Sequence, residues 1–422
     1  MKIGIFGLGY VGVVNAACFT KLGHYVIGCD VKETKVDMLR KGKSPIYEPK
    51  VDELLMEALQ SGQLSATTSV SEVINNAEVL LICVGTPSNS NGEVNLDFIY
   101  NTSFEIAKEI KSLGKEITIL YRSTIPPNTL KTYIEPIFKT ILKDEISLVA
   151  LAFYPEFLRE GKAVDDFFNA PRIVLGSDSD QLDKAKNLLA YNPEIPFYHT
   201  NPQTSEFVKY VDNTFHALKV AFVNEVYEVA KSFDVDVSTA NEIFLNDRSL
   251  NISTAYLKPG LPFGGSCLPK DLRAIVAMAK SQNLKLPLLE SISESNAHAM
   301  NRLEQLILKQ NKSKIFFVGF TFKNYTDDYR ESPILTIIER LIKSNYDVKF
   351  TDVDANLVNL RIDKPSLIKY YQESIAEGIK CSDLIVVSKR YLVDVVKLNH
   401  DKKLIINCSR RTIEDNSIIH LF

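Results

Sequence analysis

Residues 1–30 read MKIGIFGLGYVGVVNAACFTKLGHYVIGCD, and the order of residue types in this stretch decides the fold. The apolar run 3–7 (IGIFG) reads as a buried strand. Gly7-Leu8-Gly9-Tyr10-Val11-Gly12 follows it directly and opens a helical segment, a second apolar run fills 25–29 (YVIGC), and Asp30 closes it. A strand, a GxGxxG turn, a helix and a second strand ending in an acid form the first unit of a dinucleotide-binding fold. The glycines keep the turn tight and let a pyrophosphate approach the backbone at a helix N-terminus, while the carboxylate accepts a ribose hydroxyl. Gly7, Gly9, Gly12 and Asp30 are therefore expected to bind a dinucleotide. An acid at position 30 repels the 2′-phosphate of NADP. Lys32 and Lys35 lie close enough to temper that, and NAD is favoured.

The alternation continues outward. Apolar runs at 79–84 (VLLICV), 117–121 (ITILY), 147–153 and 172–175 (RIVL) are separated by charged segments of helical periodicity, the βαβ signature of a mostly parallel sheet. From about residue 203 some thirty residues, TSEFVKYVDNTFHALKVAFVNEVYEVAKSF, pass without Gly or Pro and carry an apolar stripe, so a long, largely buried helix is expected. Helical character persists to about 300, broken by the Pro/Gly-rich loop 258–270. After 312 the alternation returns with KIFFVGF (314–320), DVKFTDV (347–353), DLIVVSK (383–389) and KLIINCS (403–409). The two ends of the chain look alike: IFGLGYVG matches IFFVGFTF, and GCDV matches FTDV. A chain of 422 residues is too long for one core. The expected fold is α/β: two Rossmann-like doubly wound parallel-sheet domains, 1–200 and 301–422, joined by a central helical domain, 201–300, that contains the one long helix.

Hydrophobic content of 45% with 24% charged residues belongs to a soluble globular protein, and a formal charge of -3 argues against nucleic acid or a membrane surface as partner. No run approaches the roughly 18 apolar residues of a membrane span, and glycines interrupt the N-terminal stretch where a signal peptide would be apolar. The six cysteines, 18, 29, 83, 267, 381 and 408, show no CxxC and no histidine at zinc-finger spacing. Reduced thiols in the cytoplasm, no metal and small-molecule ligands are expected.

The carboxyl ends of strands in an open parallel sheet form the ligand crevice. Thr86 in Val84-Gly85-Thr86-Pro87 and Thr124 in Arg122-Ser123-Thr124-Ile125-Pro126-Pro127 lie there, where nicotinamide and substrate should meet, although a threonine before a turn proline needs no ligand. Cys267, in FGGSCLPKD (263–271), lies in a glycine-flanked loop ahead of a helix, unlike Cys18, Cys29 and Cys83, which sit among apolar residues. It is either a small hydrophobe or a nucleophile, and a thiol beside a helix N-terminus and a lysine suits the second role. Pro155-Glu156-Phe157-Leu158-Arg159-Glu160 follows a strand and offers two carboxylates four residues apart. Lys209, Asn213 and His216 share one face of the long helix, where polar groups are costly unless a ligand or partner satisfies them.

Taken in order, GLGYVG, VGTPS, RSTIPP, PEFLREG, KYVDN and FGGSCLPKD resemble the UDP-glucose/GDP-mannose dehydrogenase family over nearly the whole chain. The segments Lys43-Ser44-Pro45-Ile46 with Glu48-Pro49, Ile82 to Ser88, His216-Ala217, Cys267 to Ala274 and Arg330-Glu331-Ser332-Pro333 look most like the GDP-mannose 6-dehydrogenases of that family. The resemblance implies a four-electron oxidation of a sugar C6 alcohol to a carboxylate with two NAD, GDP-mannose to GDP-mannuronate, or alternatively UDP-glucose to UDP-glucuronate, in the service of polysaccharide biosynthesis. An aldehyde yields a second hydride only as a tetrahedral adduct, so Cys267 would form a thiohemiacetal and then a thioester. Lys209 and Asn213 would stabilise the oxyanion, a role worth roughly 3 kcal/mol per donor. Glu156, Thr124 and Asp271 would handle protons and the hydrolytic water. Glu160, Lys209, Asn213, His216, Asn224, Tyr256, Lys258, Gly264 and Lys323 match substrate contacts, and Tyr10, Val11, Asp30, Lys35, Thr86, Thr124, Lys270 and Arg330 match cofactor contacts. The long helix is similar to the family's dimer helix, implying a homodimer or dimer of dimers.

Three positions depart from the family pattern: Tyr154 before Pro-Glu, Lys50 after Glu48-Pro49, and Leu261-Pro262 before FGG. A two-electron hydroxyacid or 6-phosphogluconate dehydrogenase would leave Cys267 and the last third of the chain unexplained. A non-catalytic NAD-binding protein would not need the polar positions above.

Overall fold

The computed structural model describes residues 1–232, 234–248, 260–281, 283, 287–409, 411 and 413–421, with backbone alone at 225–229 and 231–232. The chain divides into two compact units, Met1–Asp212 and Asn213–Phe422.

Each apolar run of the first unit forms a strand: β1 (Lys2–Phe6), β2 (Tyr25–Cys29), β4 (Val79–Ile82), β5 (Ile117–Tyr121), β6 (Val149–Phe153) and β7 (Ile173–Gly176), joined by β3 (Leu64–Thr67) and β8 (Phe197–Thr200). They make one eight-stranded sheet in the order β3-β2-β1-β4-β5-β6-β7-β8. The first six strands are parallel, and β7 meets β6 antiparallel through Phe153 and Gly176. The β4, β5 and β6 side chains are buried on both faces, as a sheet covered by crossover helices requires. Alternate residues feed two cores: Ile3, Ile5, Val79 and Leu81 pack with Phe19 and Leu175, whereas Leu80 and Ile82 pack with Ile106 and Phe138. The order in which strands are added to the sheet reverses between β1 and β4. Because Phe6 is paired with both Cys29 and Ile82, the Gly7 turn, Asp30 and the Val84-Gly85-Thr86 segment share one edge of the sheet.

In the second unit β9 (Lys314–Val318), β10 (Asp347–Thr351), β11 (Leu384–Val387), β12 (Leu404–Asn407) and β13 (Ile418–His420) form an all-parallel sheet, ordered β10-β9-β11-β12-β13. The internal likeness read from the sequence is real in three dimensions. Gly7 donates its N–H to the Cys29 carbonyl at 2.8 Å, and Gly319 donates to the Thr351 carbonyl at the same distance.

The long helix spans Pro202–Ser232. The expectation that it is largely buried needs correction: Phe207, Val211, Phe215 and Phe222 are 42–49% exposed. Its first turn is anchored by Glu206, fully buried, whose two oxygens accept the N–H groups of Asn128 at 2.6 Å and Leu130 at 2.8 Å. Burial pushes this carboxyl up to about 7, although the N–H donors of Leu130, Asn128 and Thr129 oppose the rise. The folded chain thus keeps a proton that the unfolded chain releases. The stability this contributes is present below the ordinary value of 4.5 and is lost as pH rises through about 7. We expect the unfolding midpoint to decline across that window. The difference curve against Glu206→Gln should isolate the effect, about 3 kcal/mol in all at about 1.4 kcal/mol for each pH unit between the two values.

Candidate active site

The turn after β1 fits a dinucleotide. Gly7 adopts φ +93°, and a Cβ on Gly12 would run into the Gly7 carbonyl oxygen, so the helix beginning at Tyr10 is pressed against the strand end. Gly9 faces open space, with nothing within 4 Å of where its Cβ would stand, and Gly85 across the switch point does the same. The result is a backbone cradle at a helix N-terminus, shaped for a pyrophosphate. Asp30 accepts the N–H of Leu8 at 2.8 Å and of Lys32 at 2.9 Å, and the Lys35 ammonium at 3.0 Å. Burial works against its charge, yet the Lys32 N–H, the Lys35 ammonium and the Leu8 N–H together hold it below the ordinary carboxylate range. An ionised acid is thereby held where a ribose would lie. Thr86 and Thr124 are half-buried on the same edge, as are Tyr10 and Val11 on the helix's first turn.

Deeper in the first unit Glu156 and Lys209 form an ion pair at 2.7 Å, 8% and 5% exposed. The N–H of Leu158 also donates to Glu156 at 2.7 Å. Burial alone would raise the Glu156 carboxyl, but the Lys209 ammonium, with Arg122 and the Leu158 N–H, lowers it. Arg122 is itself buried, donates to the carbonyls of Tyr154 and Pro155 at 3.4 and 3.3 Å, and lies 3.9 Å over the Tyr154 ring. The departure at Tyr154 thus has a physical use, since the ring faces a buried guanidinium. Glu160 is half-buried one turn of loop beyond.

In the second unit Cys267 is exposed and precedes the helix Leu268–Ser281, its carbonyl accepting the first helical bond from the Asp271 N–H at 2.9 Å. Asp271, 1% exposed, is bonded by the Asn213 side-chain amide and by the Lys270 ammonium at 2.7 Å. Asn213 is one helical turn past Lys209, so both polar residues read from the helix are buried and each meets a carboxylate. His216, next on that face, is half-buried. The cysteine loop rests on residues 330–333. Gly264 leaves no room for a Cβ against the Glu331 carbonyl, Gly265 at φ +86° lies against the Phe322 ring, and its N–H donates to the Arg330 carbonyl at 3.1 Å. Arg273 grips Glu331 through two bonds of 2.6 and 2.7 Å, and Arg330 grips Asp328 through bonds of 2.9 and 2.7 Å. Asn224 is buried and accepts the Gly260 N–H at 3.2 Å, Lys323 is half-buried in the loop after β9, and Tyr256 and Lys258 lie outside the described residues.

Sequence reading used Glu48 only as part of a motif. In the structure it is 5% exposed and accepts the Tyr10 phenol together with the N–H groups of Gly161 at 2.6 Å and Ala163 at 2.8 Å. It ties the GLGYVG helix to the segment that carries Glu160. The signal available in the chain was an acid between two prolines' reach of a turn, Pro45 and Pro49, which marks a rigid segment without naming its partners.

Comparison with known proteins places the chain. Its residues 1–192 match the NAD binding domain of the UDP-glucose/GDP-mannose dehydrogenase family, residues 203–298 the family's central domain and residues 316–391 its UDP binding domain. The chain belongs to this family. It is similar to the GDP-mannose 6-dehydrogenase of Pseudomonas putida, 37% identical over 399 residues that cover 92% of this chain and 91% of that one. It is 32% identical over 395 residues to the UDP-glucose 6-dehydrogenase of Bacillus subtilis, covering 92% and 87%. A solved UDP-glucose dehydrogenase from Pyrobaculum islandicum superposes with a TM-score of 0.89 at 29% identity, covering 99% of this chain and 96% of that one. As a UDP-glucose/GDP-mannose dehydrogenase the protein is an NAD-dependent oxidoreductase of the nucleotide-sugar 6-dehydrogenase type. Among the described residues no helix is long and apolar enough to cross a membrane.

A glutamine at position 48 would turn an NH2 group toward backbone donors. Glu48→Gln is expected to cost about 1–3 kcal/mol in chemical unfolding and to raise KM for NAD, whereas Tyr10→Phe, which leaves both N–H bonds in place, should cost less on each measure.

Proposed function

We propose that the protein is a GDP-mannose 6-dehydrogenase that oxidises the sugar C6 alcohol to the carboxylate through a covalent adduct on Cys267. The observation that carries this reading is the contrast among thiols. Cys18, Cys29, Cys83 and Cys408 are buried, and burial pushes Cys29 and Cys83 up to about 12. Cys267 and Cys381 are exposed, but Cys381 closes the helix Ile375–Lys380, whereas Cys267 stands at the start of a helix, where negative charge is favoured. The relatives support GDP-mannose by 37% identity against 32% for the UDP-glucose enzyme. The likeness to a solved UDP-glucose dehydrogenase reports the course of the backbone, while sugar choice rests on side chains lining the pocket.

NAD, when bound, takes up one hydride in each of the two oxidations. The protein's own residues do the rest. Cys267 Sγ adds to the aldehyde carbon and the carbonyl oxygen gains the negative charge, which on this reading the Lys209 ammonium and the Asn213 amide stabilise. Loss of hydride from the adduct leaves a thioester. Water then adds to its carbonyl carbon, the oxyanion forms again at the same donors, the C–S bond breaks, and the thiolate returns as the carboxylate leaves. Glu156, Thr124 and Asp271 accept and return the protons of the alcohol and the water. Gly7, Gly9, Gly12 and Asp30 hold the cofactor, with Tyr10, Val11, Lys35, Thr86, Lys270 and Arg330. Glu160, His216, Asn224, Gly264 and Lys323, together with Tyr256 and Lys258, hold the sugar nucleotide. The working division of the chain is 1–200 for cofactor, 201–300 for dimerisation and the cysteine loop, and 301–422 for the sugar nucleotide. Six cysteines that form no disulfide suit the reducing cytoplasm.

The test is a side-by-side assay with GDP-mannose and UDP-glucose. GDP-mannose should give the higher kcat/KM and two NADH per sugar consumed; a preference for UDP-glucose would overturn the substrate, and one NADH the mechanism. Cys267→Ala should abolish acid formation while NAD affinity stays within about threefold.

We also propose that the stripe Phe207, Val211, Phe215 and Phe222, spaced by whole helical turns and exposed in the single chain, is covered by a second copy. Analytical ultracentrifugation should find a dimer or a dimer of dimers, and Phe215→Glu with Phe222→Glu should yield monomers; a monomeric native protein would contradict this.

A further inference from the structure

The second sheet repeats the opening of the first and then departs from it in one respect. Gly319 takes φ +95°, as Gly7 takes φ +93°. Asp352, just after β10, occupies the position that Asp30 holds after β2, and accepts the N–H groups of Phe320 and Thr321 at 2.8 Å as Asp30 accepts that of Leu8. Each acid also accepts the N–H two residues on and a lysine ammonium: Lys32 and Lys35 for Asp30, Asp354 at 3.0 Å and Lys389 at 2.6 Å for Asp352. Asp30, however, is 9% exposed beside a Lys35 that is 30% exposed, while Asp352 is 1% exposed beside a Lys389 that is 4% exposed and receives the Tyr391 hydroxyl at 2.8 Å as a further donor. A carboxylate offers about four lone-pair sites. Asp352 is saturated and has none left for a ribose.

Those donors converge on the loop that follows β9. Lys389, whose side chain is 4% exposed, also reaches the Thr321 hydroxyl and lies 3.4 Å from the Lys323 carbonyl, to which the Thr321 hydroxyl donates at 3.2 Å. Asp354 accepts the Tyr325 N–H at 3.2 Å and the Arg390 guanidinium at 2.7 Å, and that guanidinium lies 4.1 Å over the Tyr325 ring. The backbone of the loop is therefore held at positions 320, 321, 323 and 325 by one buried charged cluster. Lys389 itself stands at φ +61°, a conformation that a lysine adopts only when its surroundings impose it.

We propose that Lys389 and Asp352 are positioning residues: in the second sheet they fill the ribose position of a dinucleotide crevice with an internal ion pair, and so fix the loop that aims Lys323 at the sugar nucleotide. The inference rests on the reading that Lys323 contacts that substrate. A buried charge pair costs more in desolvation than a hydrophobic pair of equal volume, and a fixed loop geometry is what such a pair supplies in return.

The test compares Lys389→Met, Thr321→Ala, Lys323→Ala and the double variant Lys389→Met/Lys323→Ala. Calorimetric titration with GDP-mannose, UDP-glucose and, separately, NAD is read beside KM and kcat. Lys389→Met should weaken binding of the sugar nucleotide that is turned over by about tenfold or more and raise its KM in step, with NAD binding within about threefold. Thr321→Ala keeps the ion pair and the 3.4 Å contact of Lys389 with the Lys323 carbonyl and removes only the Thr321 hydroxyl that joins the two, so it should fold normally and show a smaller loss of the same kind. Because Lys389 acts through Lys323, its replacement should add little on the Lys323→Ala background. If Lys323→Ala weakens binding but Thr321→Ala and Lys389→Met do not, or if the losses simply multiply in the double variant, the positioning inference is wrong. If Lys323→Ala itself changes nothing, the assignment of Lys323 fails instead. Should Lys389→Met not fold, Thr321→Ala decides.

Discussion

The long helix carries polar groups that are buried, and each must find a partner within its own unit of the structure. Glu206, Lys209 and Asn213 are spaced three and four residues apart and are at most 6% exposed. Each is answered: Glu206 by two backbone N–H groups, Lys209 by Glu156, Asn213 by Asp271. Stranding one member of such a buried pair typically costs about 3–5 kcal/mol. An apolar helix would have packed with less expense, and the polar arrangement fits the roles proposed above for Lys209 and Asn213. It also explains why PEFLREG and LPKD, far apart in the chain, carry acids: they are the partners of one helix.

The two parallel sheets show how a repeated opening can be given different tasks. In the first, the glycine turn runs straight into a helix and leaves Asp30 at a crevice with open space over Gly9. In the second, the same strand, turn and acid are followed by a loop, and the acid turns inward to Lys389. Both acids meet a lysine ammonium; the difference is that Lys35 stays 30% exposed beside Asp30, whereas Lys389 is 4% exposed and, with the Tyr391 hydroxyl, seals Asp352. Fold repetition therefore does not imply a second dinucleotide site.

Much of this was legible in the sequence. Long apolar runs named the central strands, because a strand buried on both faces needs no alternation, and GxGxxG with Asp30 named the cofactor crevice. The short edge strands Leu64–Thr67, Phe197–Thr200 and Ile418–His420 escaped notice; Phe197 to His199 are exposed, and three or four residues give no period to read. The burial of Lys209 and Asn213 followed from helical spacing, but the exposed phenylalanines beside them did not, since periodicity fixes a face and not what covers it. Glu48, Glu206 and Lys389 were invisible for another reason. Their partners lie tens of residues away, and only the folded chain brings donor to acceptor.

The account stands or falls on the sulfur of Cys267 becoming bonded to the substrate carbon. Enzyme quenched in acid during turnover with GDP-mannose and NAD, then digested and weighed by mass spectrometry, should show the peptide bearing Cys267 heavier by the oxidised sugar nucleotide, with the other cysteine peptides unchanged. Full turnover with an unmodified Cys267 peptide at every quench time, or the same mass increase on another residue, would contradict it.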